Sequence, residues 1–376
     1  MRRYIWQQTD WPKWRFDAHA LLHPLADAKA KRGELSGRMA SVGFDAKEQV
    51  QLDAISSDAV ATSAIEGERL DLRLVRSSVA RRLGLPGALP PKDAQVEGVV
   101  EMTLDATKNS EEPLTTKRLF HWHSLLFPIQ LGRDRRVRNV ASWRDDAVGP
   151  MQVISGASGR EIIHFEAPPA ARVPSEMEIF LRWFEAPPNG DGVMKAAISH
   201  LWFLTIHPFE DGNGRIARAI ADLGLARDER SSTRFVSMTR QINAEKAAYY
   251  DAVESAQSGS LDVTPWLQWF LACYARSIDA ALTTTADVLT SSRYWNRFAE
   301  VGLSDRQRKV LARVLNRFEG KLTVRKWAKL AQTSHDTANR DIGDLVEKGM
   351  LVRSPGGGRN TSYELAPLEP HSRQHR

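Results

Sequence analysis

Residues 207–218 read HPFEDGNGRIAR, gathering an imidazole, two carboxylates, a glycine-flanked amide and two guanidinium groups into twelve positions. That composition suits neither a helix interior nor a strand, and it points to chemistry. The preceding run KAAISHLWFLTI is an apolar helix that must stop before His207-Pro208, because proline lacks a donor and resists helix continuation. The histidine is therefore delivered at a helix end. Gly212, Asn213 and Gly214 can adopt positive-φ conformations that turn successive N–H groups toward one point. Arg215 is expected to open a new helix, IARAIADLGLA, whose N-terminus faces the same point. With Arg218 three positions on, these groups make a cradle for a polyanion, each charge-assisted bond supplying ~1.5–3 kcal/mol. An oligophosphate also needs a divalent ion, for which Asp211 is the natural ligand. A histidine beside the cradle, with a pKa near neutrality, suits a general base that takes a proton from an attacking hydroxyl. A Walker A loop is excluded, since the stretch has no lysine. Taken in fragments, the motif is a polar turn with a capping asparagine; the full combination at fixed spacing favours a site.

The elements that must position these groups are mostly helical. The 376 residues, 42% hydrophobic and 26% charged, suit a protein of two or three folded regions. Residues 1–110 read as an N-terminal helical region, in which the run LRLVRSSVARRLGL stops at the Gly/Pro cluster GLPGALPP, a connector. Residues 111–290 read as a helical core with 3.6-residue spacing in runs such as SEMEIFLRWFE and AEKAAYYDAVESAQ. One interruption, PMQVISGASGREIIHFEAPP, reads as two short strands around a Gly/Ser turn. The single cysteine, Cys273, lies in an apolar run and reads as a buried structural thiol. His121 and His123 in HWH lack a third metal ligand and point apart on a helix, so both read as core or surface residues. His200 has no supporting constellation. No run approaches a membrane span and the N-terminus lacks an apolar leader, so the expectation is a cytoplasmic protein that does not engage a membrane.

HPFEDGNGRIAR resembles the HPFx[D/E]GNGRxxR motif of the Fic family, with every specified position filled. The resemblance, over roughly 115–285, implies a mainly α fold: a helical core with a β-hairpin flap that transfers part of a nucleotide, usually AMP from ATP, to a protein hydroxyl. It implies that His207 activates the target Ser, Thr or Tyr hydroxyl, Phe209 anchors the loop, and Asp211 binds Mg²⁺. Gly212, Asn213 and Gly214 would hold the α- and β-phosphates, and Arg215 and Arg218 the terminal ones. Glu210 sits at the unspecified position and takes no role. Related Doc toxins, which phosphorylate, carry a lysine where this chain has Gly214, and that difference favours nucleotidyl transfer. The hairpin at 152–164, with Val153, Ile154, Ile163 and His164, would be the flap that pairs with an extended segment of the target protein.

In VATSAIEGERL, Thr62 and Glu66 lie at i and i+4, with Gly67 in a C-cap position. Beside a Fic core this is similar to the inhibitory motif [ST]xxxE[GN]. The resemblance implies that Glu66 pairs with Arg218 and competes with the γ-phosphate for it. In some family members the same glutamate positions water to remove AMP, so a de-adenylylating enzyme is an alternative. The N-terminal YIWQQTDWPKWRFD resembles the helical segment that precedes this brake, its tryptophans packing on the core. Asn243, Tyr249 and above all Tyr250 are candidates for the nucleoside pocket. The cradle reads phosphates rather than bases, so nucleotide preference stays open. The family often dimerises, which makes a homodimer a further expectation.

The last 76 residues carry fifteen Lys and Arg against eight Asp and Glu, whereas the first 300 carry 37 against 38. Residues 300–366 resemble a winged helix-turn-helix, with Thr333-Ser334 capping the third helix. His335, Thr337, Asn339 and Arg340 fall early in that helix, and Arg353 and Arg359 fall on the wing. DNA is therefore a candidate partner, opposed by three acids in DIGDLVE, and a DNA-binding regulator with a nucleotide-sensing core is the second reading. Residues 367–376 read as a disordered tail.

Overall fold

The computed structural model describes residues 4–40, 44–128, 137–156, 159–231, 233–315, 320–355 and 361–368. In chain order the helices of the first part are α1 (Ala18–Ala40), α2 (Phe44–Ile65), α3 (Leu72–Leu83), α4 (Ala94–Lys108) and α5 (Thr116–Leu126). A hairpin of β1 (Gln152–Ser155) and β2 (Ile162–Glu166) follows. Next come α6 (Val173–Glu185), α7 (Gly192–Ile206), α8 (Asn213–Glu229), α9 (Met238–Ala244), α10 (Lys246–Gln257) and α11 (Thr264–Arg297). The last elements are α12 (Asp305–Leu315), β3 (Leu322–Thr323), α13 (Val324–Ala331), α14 (His335–Glu347), β4 (Leu351–Arg353) and β5 (Ser362–Leu365). The fold is mainly helical. Two units separate, residues 1–41 with 47–281 and residues 42–46 with 282–376, the division falling inside α11.

In the first unit α7 is apolar on nearly every face and is buried from Ala196 to Ile206, as a helix at the centre of a bundle must be. Its closest partner is α8, and α4 packs against both α5 and α8, so residues on either side of 110 share this unit. Asp191 caps α7 by accepting from the Val193 N–H at 2.8 Å. On α6, the apolar stripe of Phe180 and Phe184 meets Trp202 of α7, the Phe180 ring centroid lying 5.5 Å from the indole.

The N-terminal segment departs from expectation. It is not a helix: it makes one 3-10 turn at Ile5–Gln7 and runs irregularly to α1, pairing with Asp262 through Arg15. Its tryptophans supply the reason. Trp11 and Trp14 pack edge-on against Trp202 at 6.1 and 5.7 Å, and the Trp11 indole donates to Glu176 at 2.9 Å. Docking of large rings on the core, rather than helical hydrogen bonding, fixes this stretch. Cys273 is fully buried, and burial pushes its thiol up to about 12.

In the second unit the three strands pair antiparallel in the order β3-β5-β4. Val310, Leu311, Trp327, Ile342, Leu345 and Leu351 fill its core. Ser334 alone caps α14, accepting from the Thr337 N–H at 3.2 Å. Arg359 and residues 369–376 lie outside the described residues. No helix among the described residues is long and apolar enough to cross a membrane.

Candidate active site

The turn after α7 sets the geometry. His207 takes the left-handed conformation (φ 51°, ψ 58°), so its N–H still closes on the Phe203 carbonyl at 3.0 Å while the chain leaves the helix. The ring Nδ1 lies 3.2 Å from the Leu204 carbonyl, which can only accept. The proton therefore sits on Nδ1, and Nε2 is the ring's acceptor. Burial, against the opposing Leu204 bond, pushes the imidazole down to about 4. This differs from the near-neutral value expected, and it keeps the ring a neutral base at physiological pH.

Residues distant in sequence, to which the sequence analysis gave no part in the site, hold the loop. Buried Arg144 donates from Nε to the His207 carbonyl at 2.7 Å and from its N–H to the Pro208 carbonyl at 3.0 Å. Phe209 is fully buried and stacks on the His123 ring at 4.2 Å and 8°. His123 accepts the Ala141 N–H at Nδ1 (3.0 Å) and so donates from Nε2 to the Asp211 carbonyl (3.3 Å); burial holds it neutral, at about 4. Glu210 accepts from the Arg138 N–H at 2.6 Å and from Asn139 Nδ2 at 3.1 Å. These partners lie more than sixty residues away, and no local pattern marks them.

The cradle differs from expectation in two respects. Only Gly212 has positive φ (82°), and α8 begins at Asn213, two residues earlier than expected. The Asn213 side chain explains this: it accepts from the Phe209 N–H at 3.0 Å and donates to the Phe209 carbonyl at 2.8 Å. Its amide is thus committed to the loop, and only its backbone N–H can serve a phosphate. The Gly212 N–H is likewise engaged, by Asp211 Oδ1 at 2.5 Å. What faces an anion is the first turn of α8, whose N–H groups at Asn213, Gly214 and Arg215 have no intrahelical acceptors.

That turn is already approached by an acid. Arg218, 2% exposed, donates to Thr62 Oγ1 at 2.9 Å, to the Thr62 carbonyl at 3.1 Å and to Glu66 Oε1 at 2.7 Å. A Cβ at Gly214 would fall 2.3 Å from Glu66 Oε1, so the carboxylate lies directly over the α8 turn and no side chain fits at 214 beside it. Burial opposes the charge of Glu66, but Arg218 outweighs it and holds the carboxyl below its usual range, aided by Arg215 and Lys246. Gly67 (φ 83°) turns the chain out of α2. Arg215 pairs through Nη1 with Glu68 Oε2 at 2.9 Å.

Of the nucleoside-pocket candidates, Tyr250 is 45% exposed, and its hydroxyl donates to the Ile65 carbonyl at 3.2 Å, beside the Glu66 turn. Tyr249 is buried with its hydroxyl 2.9 Å from His200 Nε2. Asn243 is half-buried on α9. The run INAEKAAYYDAV breaks at Glu245, whose carboxylate pairs with Arg276 at 2.6 Å. In the hairpin, Ile154 pairs with Ile163 and Val153 with Phe165, a bulge intervening. Val153, Ile154 and Ile163 are exposed, and His164 donates from Nδ1 to Glu254 of α10 at 2.7 Å.

Among the described residues no group of three His, Cys, Asp or Glu gathers for a metal. Asp211 offers one half-exposed carboxylate. Magnesium commonly takes one or two carboxylates and completes its shell with water and phosphate oxygens, so this donor set fits it beside a nucleotide.

Residues 113–225 match the Fic/DOC family, and residues 4–85 match a domain of unknown function (DUF4172). The chain is 27% identical over 227 residues to a protein adenylyltransferase Fic of Nematostella vectensis, an alignment covering 60% of this chain and 48% of that one. It is 32% identical over 89 residues to a probable protein adenylyltransferase of Aquifex aeolicus, covering 24% and 28% of the two chains. The chain thus spans about half the length, or less, of the curated relatives it matches. In fold it is similar to a Fic family protein of Desulfovibrio desulfuricans (TM-score 0.55, 21% identity, 96% of this chain and 99% of that one). It is also similar to a Fic domain containing signaling protein of Bacteroides thetaiotaomicron (TM-score 0.51, 18% identity, 69% and 97%). The HPFEDGNGRIAR turn lies within the segment, residues 113–225, that matches the Fic/DOC family.

Proposed function

We propose that the chain is a protein adenylyltransferase held in check by Glu66. The observation that carries this reading is the Glu66 carboxylate, 2.7 Å from Arg218 and over the first turn of α8, because an acid there occupies an anion site. The neutral imidazole of His207 beside it supports the base role. His207 Nε2 takes the proton of a target hydroxyl as that oxygen attacks the α-phosphorus of ATP. The bond from that phosphorus to the β-bridging oxygen breaks, and pyrophosphate leaves against Arg215, Arg218 and the α8 N–H groups. Mg²⁺ held by Asp211 would supply charge neutralisation to the phosphates. Exposed backbone of the β1–β2 hairpin receives an extended target segment by strand addition.

Incorporation of α-labelled ATP with Mg²⁺ into protein tests this. Wild type should label weakly, Glu66→Gly strongly, and Glu66→Gly with His207→Ala not at all. Nucleotide binding without labelling of itself or of a lysate in every variant would remove the transferase reading.

A second reading concerns the second unit, taken as a winged helix that contacts duplex DNA. It is supported by the fate of the acids expected to repel phosphate. Asp341 is paired with Arg306 by two bonds of 2.7 Å, and Asp344 with Lys348 at 2.7 Å, whereas His335, Asn339 and Arg340 are exposed on α14. Duplex binding that weakens steeply with salt and falls roughly tenfold in Arg340→Ala would support it. Affinity indifferent to Arg340 would sink it.

A further inference from the structure

Glu68 lies two residues beyond the acid that meets Arg218, and it meets the other arginine of the cradle. Its Oε2 is 2.9 Å from Arg215 Nη1 and accepts a second bond of 2.9 Å from Gln95 Nε2 on α4. The Glu68 N–H closes on the Ser63 carbonyl at 2.9 Å, so the turn that carries Glu66 carries Glu68 as well. Arg215 is 1% exposed and its guanidinium lies over the Phe127 ring at 5.1 Å, so it cannot swing into solvent. Its Nη2 is 3.6 Å from Asp211 Oδ1, too long for a hydrogen bond, and its Nε has no partner among the described residues. A buried guanidinium thus has one close acceptor, and that acceptor rides on the turn after α2. Residues 66 and 68 present two carboxylates to two arginines three positions apart on α8.

We propose that Glu68 is a second inhibitory positioning residue, competing with a nucleotide phosphate for Arg215 as Glu66 competes for Arg218. The 66–68 turn stands in for a polyphosphate at two points, and Gln95 ties this brake to α4 as well as to α2. This inference rests on the nucleotide reading above and deepens it. Withdrawing the turn frees both arginines together, whereas removing Glu66 alone leaves Arg215 engaged.

The test is calorimetric titration of the full chain with inorganic tripolyphosphate and, separately, with adenosine. The proteins are wild type, E66G, E68Q, E68D and E66G/E68Q. E68Q should bind tripolyphosphate roughly tenfold tighter in either background, the low end for a charge-assisted contact at a partly exposed acid. E68D, which keeps the charge, should stay near the wild type, and adenosine binding should not change. A merely structural effect would move both ligands together and would count against the proposal. Tripolyphosphate affinity that is unchanged or weaker in E66G/E68Q than in E66G overturns it. Labelling with ATP in the same variants separates the two readings. Tighter polyphosphate binding without any labelling removes the transferase and leaves Glu68 its role; labelling with affinity indifferent to Glu68 does the reverse.

Discussion

His207, the proposed base, is held far below the ordinary imidazole range. Burial is the main cause, and the Arg144 guanidinium adds to it. An imidazole at about 4 is neutral throughout pH 6–8, with its lone pair on Nε2. The labelling rate of Glu66→Gly should accordingly stay flat from pH 8 to pH 6 and fall only as pH descends toward 4. An inflection near 6.5 in that profile would show a ring that titrates as an ordinary histidine, and would contradict the role of burial. The neighbouring residues are arranged to keep this ring still. Arg144 grips the carbonyls of His207 and Pro208, Asn213 grips both backbone groups of Phe209, and His123 stacks beneath Phe209. A loop fixed at this many backbone atoms loses little entropy when it meets a substrate.

At the scale of elements, α2 is the decisive part, since it delivers Thr62 and Glu66 to Arg218. A third residue on the same face, Asp58, anchors it farther up. Asp58 accepts from the Ser237 hydroxyl at 2.7 Å and from the Thr239 N–H at 3.2 Å, and it shares the buried Arg234 with Asp222 of α8. Burial, with Asp222 adding repulsion, pushes the Asp58 carboxyl up to about 7, and burial raises Asp222 too. A carboxyl whose pKa is higher folded than unfolded contributes stability below its ordinary 3.8, and that contribution is lost as pH rises through about 7. Asp58→Asn keeps the acceptor for Ser237 and Thr239 but cannot ionise. It should therefore lessen the fall in melting temperature between pH 5 and pH 8 by at least roughly 2–4 °C, the shift that about 1 kcal/mol makes in a unit of this size. An unaltered pH dependence would mean that Asp58 is ionised throughout.

For the whole molecule, the division into two units separates chemistry from charge. Every residue of the candidate site, from Thr62 to Tyr250, belongs to the first unit, and the excess of basic residues belongs to the last 76 positions. Each unit has its own buried core, so scanning calorimetry of the full chain should resolve two transitions. Tripolyphosphate stabilises only what binds it, so it should raise the first unit's transition and leave the other in place. A single transition that moves as a whole would mean that the units unfold together.

The sequence by itself determined the turn at 207–218, the helices that flank it and the hairpin, while the pairing of Glu66 with Arg218 was implied only by the resemblance to the Fic family. The first three are written in neighbouring residues: proline after an apolar run, glycine beside asparagine, and alternating apolar residues around a Gly/Ser turn. Tertiary structure alone decided how those groups behave. Arg144, His123 and Arg138 reach the turn from distant positions, Tyr249 turns inward to His200, and the N-terminal tryptophans replace a helix with docked rings. The imidazole falls to about 4 and Glu68 finds Arg215 for the same reason. Burial and charge proximity depend on what the fold packs around a side chain, and one-dimensional spacing does not carry that information.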